Sequence, residues 1–449
     1  MTPFDTDISC DLLVVGSGVA GMAATARAAE LGLKVVRCGN PSQFYFMSGI
    51  LDLLGAYPLD QGFLETPKAG WEQLVAAEPD HPYARASWNA LTQSIDTLTN
   101  FLERAGLHYV GQGDSNMLIP TALGTVRPGY RVPVTMANGA KLMENGTGGR
   151  LLLVDFAGLK GFSAAQMASG LVPLAPKRFS LACAGLHNSD WQISCKRISL
   201  PGSEHGLDPL DLAARFENRE FVAGLIRELA PEAKGADMIG LPAVCGLDHC
   251  QEILAEMEEA LKVPLFEIPM MPPSIPGIRL KNAFEKALAA MDIPFIGGAK
   301  IQVPESGRWH EEGRFHLEAQ APSLVTRIAA KGVILASGSF VGGGLVGERT
   351  GVRETILGLP VSQPQSREDW HGTSFFDSQG HGINLAGIRT DTVFSPVDGN
   401  GERIQDHLYA AGGILAHNNW TRLKSGAGTA CLSAITAVED FHGRGGSHA

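Results

Sequence analysis

Near its start the chain reads Asp11-Leu-Leu-Val-Val-Gly-Ser-Gly-Val-Ala-Gly-Met-Ala-Ala-Thr25, an apolar strand joined to an alanine-rich helix by spaced glycines. Gly16 permits a tight turn, Gly18 lets the backbone approach a phosphate, and Gly21 lets helix and strand pack closely. The helix N-terminus adds unpaired N–H groups and a positive dipole end. The pattern predicts a β-α-β unit over residues 11–38 that binds a phosphate at Gly16, Gly18, Val19, Ala20 and Gly21.

The second strand of this unit reads Leu33-Lys-Val-Val-Arg-Cys38 and carries no acidic residue after it. In a dinucleotide-binding unit an acid about 20 residues beyond the glycines usually binds the adenosine ribose. The motif therefore indicates the phosphate of a cofactor, and at this point it leaves the identity of that cofactor open.

Composition limits the classes of protein that this chain can represent. The 449 residues, 44% hydrophobic and 18% charged, predict a globular protein of two or about three domain-sized units. The net charge of −11, without a basic run, argues against nucleic acid as a partner. No apolar run approaches the ~18 residues of a membrane span, so we expect membrane association only through a partner.

The seven cysteines are scattered and contain no Cys-x-x-Cys pair. This usage is typical of a reduced, cytoplasmic setting. It predicts no iron–sulfur cluster held by this chain alone, and Cys245 and Cys250 could be metal ligands but are interpreted as buried thiols.

Periodicity along the rest of the chain predicts a second α/β block and a return to the first domain. Helices are predicted at about 208–230, 248–262, 279–291 and 426–440, strands near 237–242, 264–268, 293–296, 332–338 and 407–413, and a hairpin over 297–320. We expect a discontinuous cofactor domain of residues 1–58 and 326–449 and an α/β insertion of residues 59–325.

Glycine-bearing strand ends near residues 15, 336 and 411 resemble those of the two-dinucleotide-binding-domain flavoproteins. The resemblance implies an α/β, Rossmann-like FAD/NAD(P)-binding-type fold. It also implies cofactor contacts beyond the first loop, at Ala336, Ser337, Gly338, Gly412 and Gly413.

Longer blocks resemble the B subunits of anaerobic glycerol-3-phosphate dehydrogenases. They are Ser48–Leu54, His81–Tyr83, Pro120–Thr125, Pro272–Leu280, Ala336–Leu345 and Glu348–Leu359. The resemblance implies an FMN flavoprotein in a three-subunit complex. An A subunit with FAD would take the hydride from sn-glycerol 3-phosphate, giving glycerone phosphate, and an iron–sulfur C subunit would pass electrons to membrane quinone. The chain would be cytoplasmic, or peripheral at the inner face of the membrane through the complex.

Two positions depart from the FAD-binding pattern of these flavoproteins. Cys38 stands about where the ribose-binding acid is expected, and Gly413 stands where an Asp or Glu often follows the last strand. FMN lacks adenosine and needs no ribose-binding acid, so the sequence favours FMN, with FAD as the alternative.

Further candidate residues have a functional and a structural interpretation. Ser48 and Gly49 would hydrogen-bond the flavin or its phosphate, or form a solvated turn. Gly426 and Gly428 would place a helix N-terminus at flavin N1/O2, or simply begin a helix. Asp52 is interpreted as an exposed or capping carboxylate.

Four residues are candidates for catalysis. Arg279, Arg349 and Arg353 could bind phosphate or a reduced flavin, although surface arginine is the commoner role. His81 could act as a general base, although a His-Pro pair more often marks a turn. Two other functions remain open, a stand-alone flavin oxidoreductase of the fumarate-reductase-like type and a non-catalytic scaffold subunit.

Overall fold

The computed structural model describes residues 4–175, 179–181, 190–203, 206–322, 324–377 and 380–445. The chain forms two compact units. The first unit comprises Met1–Gln43, Leu51–Ala105 and Phe284–Ala449, and the second comprises Phe44–Ile50 and Gly106–Ala283.

The described residues form the following strands and helices. The strands are β1 (Phe4–Val15), β2 (Val35–Gly39), β3 (Tyr109–Val110), β4 (Met117–Pro120), β5 (Val126–Gly129), β6 (Val132–Pro133), β7 (Gly149–Phe156), β8 (Phe179–Leu181), β9 (Trp191–Ile198), β10 (Met238–Pro242), β11 (Leu265–Ile268), β12 (Phe295–Gly297), β13 (Lys300–Gln302), β14 (His310–Glu311), β15 (Arg314–Ala321), β16 (Leu324–Leu335), β17 (Leu345–Gly347), β18 (Val352–Glu354) and β19 (Leu408–Ala410). The helices are α1 (Val19–Glu30), α2 (Pro67–Ala77), α3 (Trp88–Arg104), α4 (Ala137–Ala140), α5 (Ala164–Leu174), α6 (Pro209–Phe216), α7 (Arg219–Ala233), α8 (Cys250–Leu261), α9 (Ile275–Ala290), α10 (Trp420–Leu423) and α11 (Gly426–Gly443).

The sheet of the first unit is built from both ends of the chain. Its strand order is β12-β2-β1-β16-β15-β13, with β19 paired to β16 and β14 to β15. Strands β2, β1, β16 and β19 run parallel, and β15 is antiparallel to β16. Since parallel strands end at the same edge, the carboxyl ends of β1, β2, β16 and β19 meet there, where open α/β sheets bind ligands.

Small residues pack the helices of the first unit closely. Helix α1 buries Met22 and five alanines, and α11 buries an alanine-rich face. The two helices contact each other, and α3 packs against α11. Leu12 to Val15 are almost completely buried, which is typical of a strand covered on both faces.

The five-stranded sheet of the second unit is entirely parallel, in the order β11-β10-β7-β9-β8. The prediction of a second α/β block is thus confirmed. The prediction of a single helix at about 208–230 is wrong, because this segment forms two helices, α6 and α7. The Asn218 side chain accepts hydrogen bonds from Glu220 N and Phe221 N, and so caps a new helix where one was expected to continue.

The predicted domain boundaries differ from the observed units. Residues 59–105 and 284–325, expected in the insertion, belong to the first unit, and residues 44–50 belong to the second. The reason is packing, because α3 lies against α11, and the strands from β12 to β15 extend the sheet that β1 and β16 begin. Within the described residues no helix is both long and apolar enough to cross a membrane.

Candidate cofactor site

The carboxyl edge of the first sheet brings the three glycine-bearing strand ends together. Gly16 N donates to Cys38 O and Ala336 N donates to Val15 O, both over 2.7 Å. Ala411 N donates to Leu335 O over 2.9 Å. The loops that contain Ala336, Ser337, Gly338, Gly412 and Gly413 therefore begin beside the first glycine loop, as the sequence predicts.

Gly16 and Gly21 are required by the backbone around them. Gly16 has φ +127°, and a Cβ there would overlap the carbonyl oxygen of Ala336. A Cβ at Gly21 would overlap the carbonyl oxygen of Gly16. These two glycines therefore hold α1 tightly against the strand ends, with the helix N-terminus directed at the edge of the sheet.

Gly18 lies under a side chain that the sequence analysis missed. Turned so that Oε1 faces the loop, the Gln43 carboxamide accepts hydrogen bonds from Val19 N over 3.1 Å and Gly18 N over 3.2 Å. A Cβ at Gly18 would overlap this carboxamide. No periodicity or motif marks Gln43, because its contact depends on how the segment after β2 folds back over the loop.

Buried hydroxyl groups beside the loop suit a polar ligand. Ser17 is 3% exposed, and its Oγ has no hydrogen-bond partner among the described residues. The same holds, within that part of the chain, for the Ser337 hydroxyl on the loop after β16. Together with the loop N–H groups these hydroxyls form a donor set that fits the phosphate of a flavin nucleotide.

The end of β2 has no place for a ribose-binding carboxylate. Cys38 is completely buried, with Sγ 3.6 Å from Val14 O, and burial raises the pKa of its thiol to about 12. The strand ends one residue later, at Gly39, where a Cβ would lie 2.9 Å from Ser17 N and 3.1 Å from Gly16 Cα. The last position of the strand therefore lies against the glycine loop and has no room for a side chain.

The N-terminus of α11 is capped from within the first unit. Ala427 N donates to Asp52 Oδ1 and Gly428 N donates to Asp52 O, both over 2.8 Å. A Cβ at Gly428 would overlap the Tyr83 hydroxyl, which itself donates to Leu53 O. The interpretation of Asp52 as a capping carboxylate is confirmed, and Gly428 has a packing role in addition to its predicted place at a flavin.

Ser48 and Gly49 fall in the second unit, unlike the other predicted cofactor residues. Ser48 Oγ accepts a hydrogen bond from Ile50 N over 3.3 Å, and Gly49 O accepts one from the Tyr109 hydroxyl over 2.8 Å. The first contact forms a local turn and the second joins the turn to β3, and a role at the flavin stays a prediction.

His81 has an environment unsuited to a general base at neutral pH. Its Nδ1 accepts a hydrogen bond from Tyr83 N over 3.0 Å, which leaves the ring proton on Nε2. Burial, together with the nearby His417, lowers the pKa of His81 to about 3. Nε2 has no partner among the described residues. The neutral ring is therefore a hydrogen-bond donor, and the general-base candidacy is not supported.

Arg279 is held in a buried ion pair of the second unit. Its Nη1 and Nη2 donate to the two Glu267 oxygens over 2.5 and 2.9 Å, and its Nε donates to Gly246 O over 2.8 Å. Both side chains are buried. Burial alone would raise the pKa of Glu267, but the adjacent guanidinium outweighs it and holds that pKa below the ordinary value. The contacts indicate a structural role in place of phosphate capture.

The other two arginine candidates lie on the surface of the first unit. Arg353 Nε donates to Glu348 Oε1 over 2.8 Å, and its side chain is about half exposed. The next residue, Glu354, is completely buried and accepts hydrogen bonds from Ile356 N and Leu357 N. Arg349 is exposed on the turn before β18. Exposed guanidinium groups can reach a ligand or a partner, so these two remain candidates.

Comparison with known proteins shows relatives over almost the whole chain. The chain is 28% identical over 446 residues to the B subunit of anaerobic glycerol-3-phosphate dehydrogenase of Vibrio vulnificus (strain CMCP6), and the match covers 96% of each chain. It is 27% identical over 456 residues to the probable B subunit of the same enzyme of Halobacterium salinarum (strain ATCC 29341 / DSM 671 / R1), covering 97% of this chain and 99% of that one. The predicted resemblance is thus confirmed.

A solved 3-ketosteroid delta1-dehydrogenase from Sterolibacterium denitrificans is 10% identical, with a TM-score of 0.41 over 97% of this chain and 100% of that one. The family model described as an FAD binding domain matches residues 11–429, which include each strand end of the candidate site. The chain therefore belongs to the FAD binding domain family of flavoproteins.

Proposed function

We propose that this chain is the FMN-binding subunit of a quinone-dependent glycerol-3-phosphate dehydrogenase. The complex would oxidise sn-glycerol 3-phosphate to glycerone phosphate. The observation that carries the proposal is the donor-lined glycine loop from Gly16 to Gly21, in a chain whose relatives are named as the B subunit of that enzyme over almost their full length.

The end of β2 supports FMN in preference to FAD. An adenosine ribose needs a carboxylate at this point, but Cys38 is buried and Gly39 lies against Ser17. FMN has a single phosphate, which the glycine loop can bind, and it has no adenosine ribose that would need a carboxylate at the end of β2. The family name alone does not separate the two flavins, because both carry a phosphate that fits the loop.

The residues of the first unit would hold and orient the cofactor. The N–H groups of Gly18 and Val19 would donate to the phosphate at the positive end of α1. The hydroxyls of Ser17 and Ser337 would complete its hydrogen bonds. When bound, the flavin supplies the acceptance and release of electrons, and the protein supplies position and electrostatics.

The names of the relatives support a complex, and the identity of the partners is what the sequence resemblance implies. A protein named as a B subunit belongs to a complex of several subunits. We propose that an FAD-bearing A subunit removes the hydride from the substrate and that an iron–sulfur C subunit passes electrons to membrane quinone. The chain would then be cytoplasmic and reach the inner face of the membrane through that complex.

The test is to purify the full chain, record its visible spectrum, denature it and identify the released flavin. FMN in near-stoichiometric amount supports the proposal. FAD would overturn the inference from Gly39 and leave the rest in place. A colourless protein that releases no flavin and takes up none would favour the scaffold alternative.

A second experiment separates the complex from a stand-alone oxidoreductase. The chain is assayed for oxidation of reduced dye with fumarate, alone and with the A and C subunits added. Glycerol-3-phosphate-dependent reduction of quinone only in the full mixture supports the proposal. Fumarate reduction by the isolated chain would support the fumarate-reductase-like alternative.

A further inference from the structure

The side chain of Gln43 lies on the donors that the proposed phosphate needs. Its Oε1 accepts from Gly18 N and Val19 N over 3.2 and 3.1 Å, and helix α1 has no capping side chain from its own N-cap residue, Gly18. Two N–H groups at the start of α1, those of Gly18 and Val19, are thus satisfied by an uncharged acceptor from the same chain. The phosphate and the carboxamide cannot both occupy this position.

The Ser17 hydroxyl indicates that the loop can donate to one more hydrogen-bond acceptor. Its hydroxyl is almost fully buried beside Gly16 and Gly39, and no described residue provides it with a hydrogen bond. A buried polar group without a partner costs free energy, so native proteins usually retain one where a ligand or water completes it. Gln43 leaves this donor unused, whereas a phosphate with several oxygens could engage it together with the loop N–H groups.

We propose that Gln43 competes with the flavin phosphate for the N-terminus of α1 and thereby sets how tightly this chain holds its cofactor. The inference rests on the proposed function. A phosphate displaces the carboxamide because its charge-assisted hydrogen bonds are stronger and the helix dipole favours an anion. Gln43 is exposed, so its side chain can turn out into solvent when the phosphate arrives.

Without the cofactor, the same contact protects the loop. Uncapped N–H groups at a helix start are otherwise left to water, and a side-chain acceptor stabilises the first turn. Gln43 therefore has two opposed effects, stabilising the empty loop and weakening flavin binding. Opposed effects of one substitution are difficult to explain by general damage to the fold.

The experiment titrates the flavin-free full chain with FMN and follows the quenching of flavin fluorescence. We compare the unaltered protein with Gln43→Ala, Gln43→Glu and a control, Ser42→Ala, whose exposed side chain precedes Gln43. We expect Gln43→Ala to bind FMN about tenfold more tightly, the change expected from removing roughly one net hydrogen-bonding competitor. Gln43→Glu should bind at least tenfold more weakly, because its carboxylate repels the phosphate, and added salt should reduce the deficit.

Hydrogen exchange of the flavin-free protein gives the second readout. Amides at the start of α1 should exchange faster in Gln43→Ala, and no faster in Gln43→Glu than in the unaltered protein. Equal FMN affinity in Gln43→Ala and Ser42→Ala, or weaker binding in Gln43→Ala, would overturn the competition while leaving the proposed function standing. If no variant binds FMN or FAD, the proposed function fails and the inference fails with it.

Discussion

The Asp52 carboxylate accepts a hydrogen bond from the backbone N–H of Ala427 over 2.8 Å, across 375 residues of sequence. This contact joins the segment that follows β2 to the first turn of α11. A carboxylate is favourable at a helix N-terminus because it satisfies unpaired N–H groups and meets the positive end of the helix dipole.

Replacing Asp52 by Ala should loosen the start of α11. We expect the first turn of α11 to lose about 1 kcal/mol of stability, the usual cost of removing a helix cap. This loss corresponds to about fivefold faster hydrogen exchange of the amides from residue 426 to 430. Asp60→Ala is the control, since Asp60 is an exposed carboxylate in the same segment. Unchanged exchange in Asp52→Ala would mean that water caps the helix equally well.

Gly16→Ala and Gly32→Ala test whether the glycine loop is fixed by close packing. Both glycines have positive φ, +127° and +74°, but only at Gly16 would a Cβ overlap backbone, at Ala336. Gly32→Ala should cost about 1 kcal/mol from strain alone. Gly16→Ala should cost several times more and abolish flavin retention, as measured by melting temperature and flavin content. Equal losses in the two variants would contradict this packing role.

Arg279→Met should strongly destabilise the second unit. Removing one partner of a buried ion pair typically costs about 3–5 kcal/mol, because the other charge is left unpaired. Arg353→Met is the control, since that ion pair is exposed and should contribute less than about 1 kcal/mol. Chemical denaturation of each variant measures the difference. A small loss in Arg279→Met would show that the pair can be replaced by apolar packing.

The same variant should also change the effect of acid. In the unaltered protein the pKa of Glu267 lies below the ordinary value of 4.5, so its stabilising contribution is present above that pH and is lost as the pH falls through the folded pKa. Without Arg279, burial should raise the pKa of Glu267 above its unfolded value. The difference in the free energy of unfolding between the unaltered protein and Arg279→Met should therefore be smaller at pH 5 than at pH 7. A difference that does not change with pH would refute this account.

His81 should make the first unit sensitive to mild acid. Its pKa is about 3 in the folded protein against the ordinary 6.5, so the unfolded chain binds the extra proton between these values. The contribution of the neutral His81 to stability is complete above pH 6.5. As the pH falls from there towards the folded pKa, the free energy of unfolding decreases by about 1.4 kcal/mol per pH unit. His81→Asn should remove this slope in denaturation curves, whereas His371→Asn, at an exposed position, should retain it.

Much of the cofactor domain could be predicted because its signals are local. The strand from Leu12 to Val15, the spaced glycines and the alanine-rich helix are each recognisable within a few residues. The hairpin of β13 and β15 and the terminal helix α11 follow equally from local periodicity. That the glycine-bearing strand ends lie around one cofactor was implied by the resemblance to the two-dinucleotide-binding-domain flavoproteins.

The parts that were missed depend on contacts between distant residues. Gln43 covers the loop only because the segment after β2 folds back over α1, and a glutamine that follows Pro41 and Ser42 gives no sign of this. Helix α3 belongs to the first unit because it packs against α11, which is distant from it in sequence. The neutral state of His81 depends on burial and on the Tyr83 N–H, which the His-Pro pair alone does not reveal.

The central position of β1 has a consequence for synthesis on the ribosome. One neighbour, β2, emerges soon after it, but the other, β16, ends at Leu335, more than three hundred residues later. Until then the backbone groups of β1 on the side that β16 will cover have no partner strand. An unpaired edge on an apolar strand favours aggregation. The second unit has its own parallel sheet and can fold in the interval. Nascent chains arrested before β16 should therefore depend on chaperones, which makes translation speed across the middle of the message a determinant of yield.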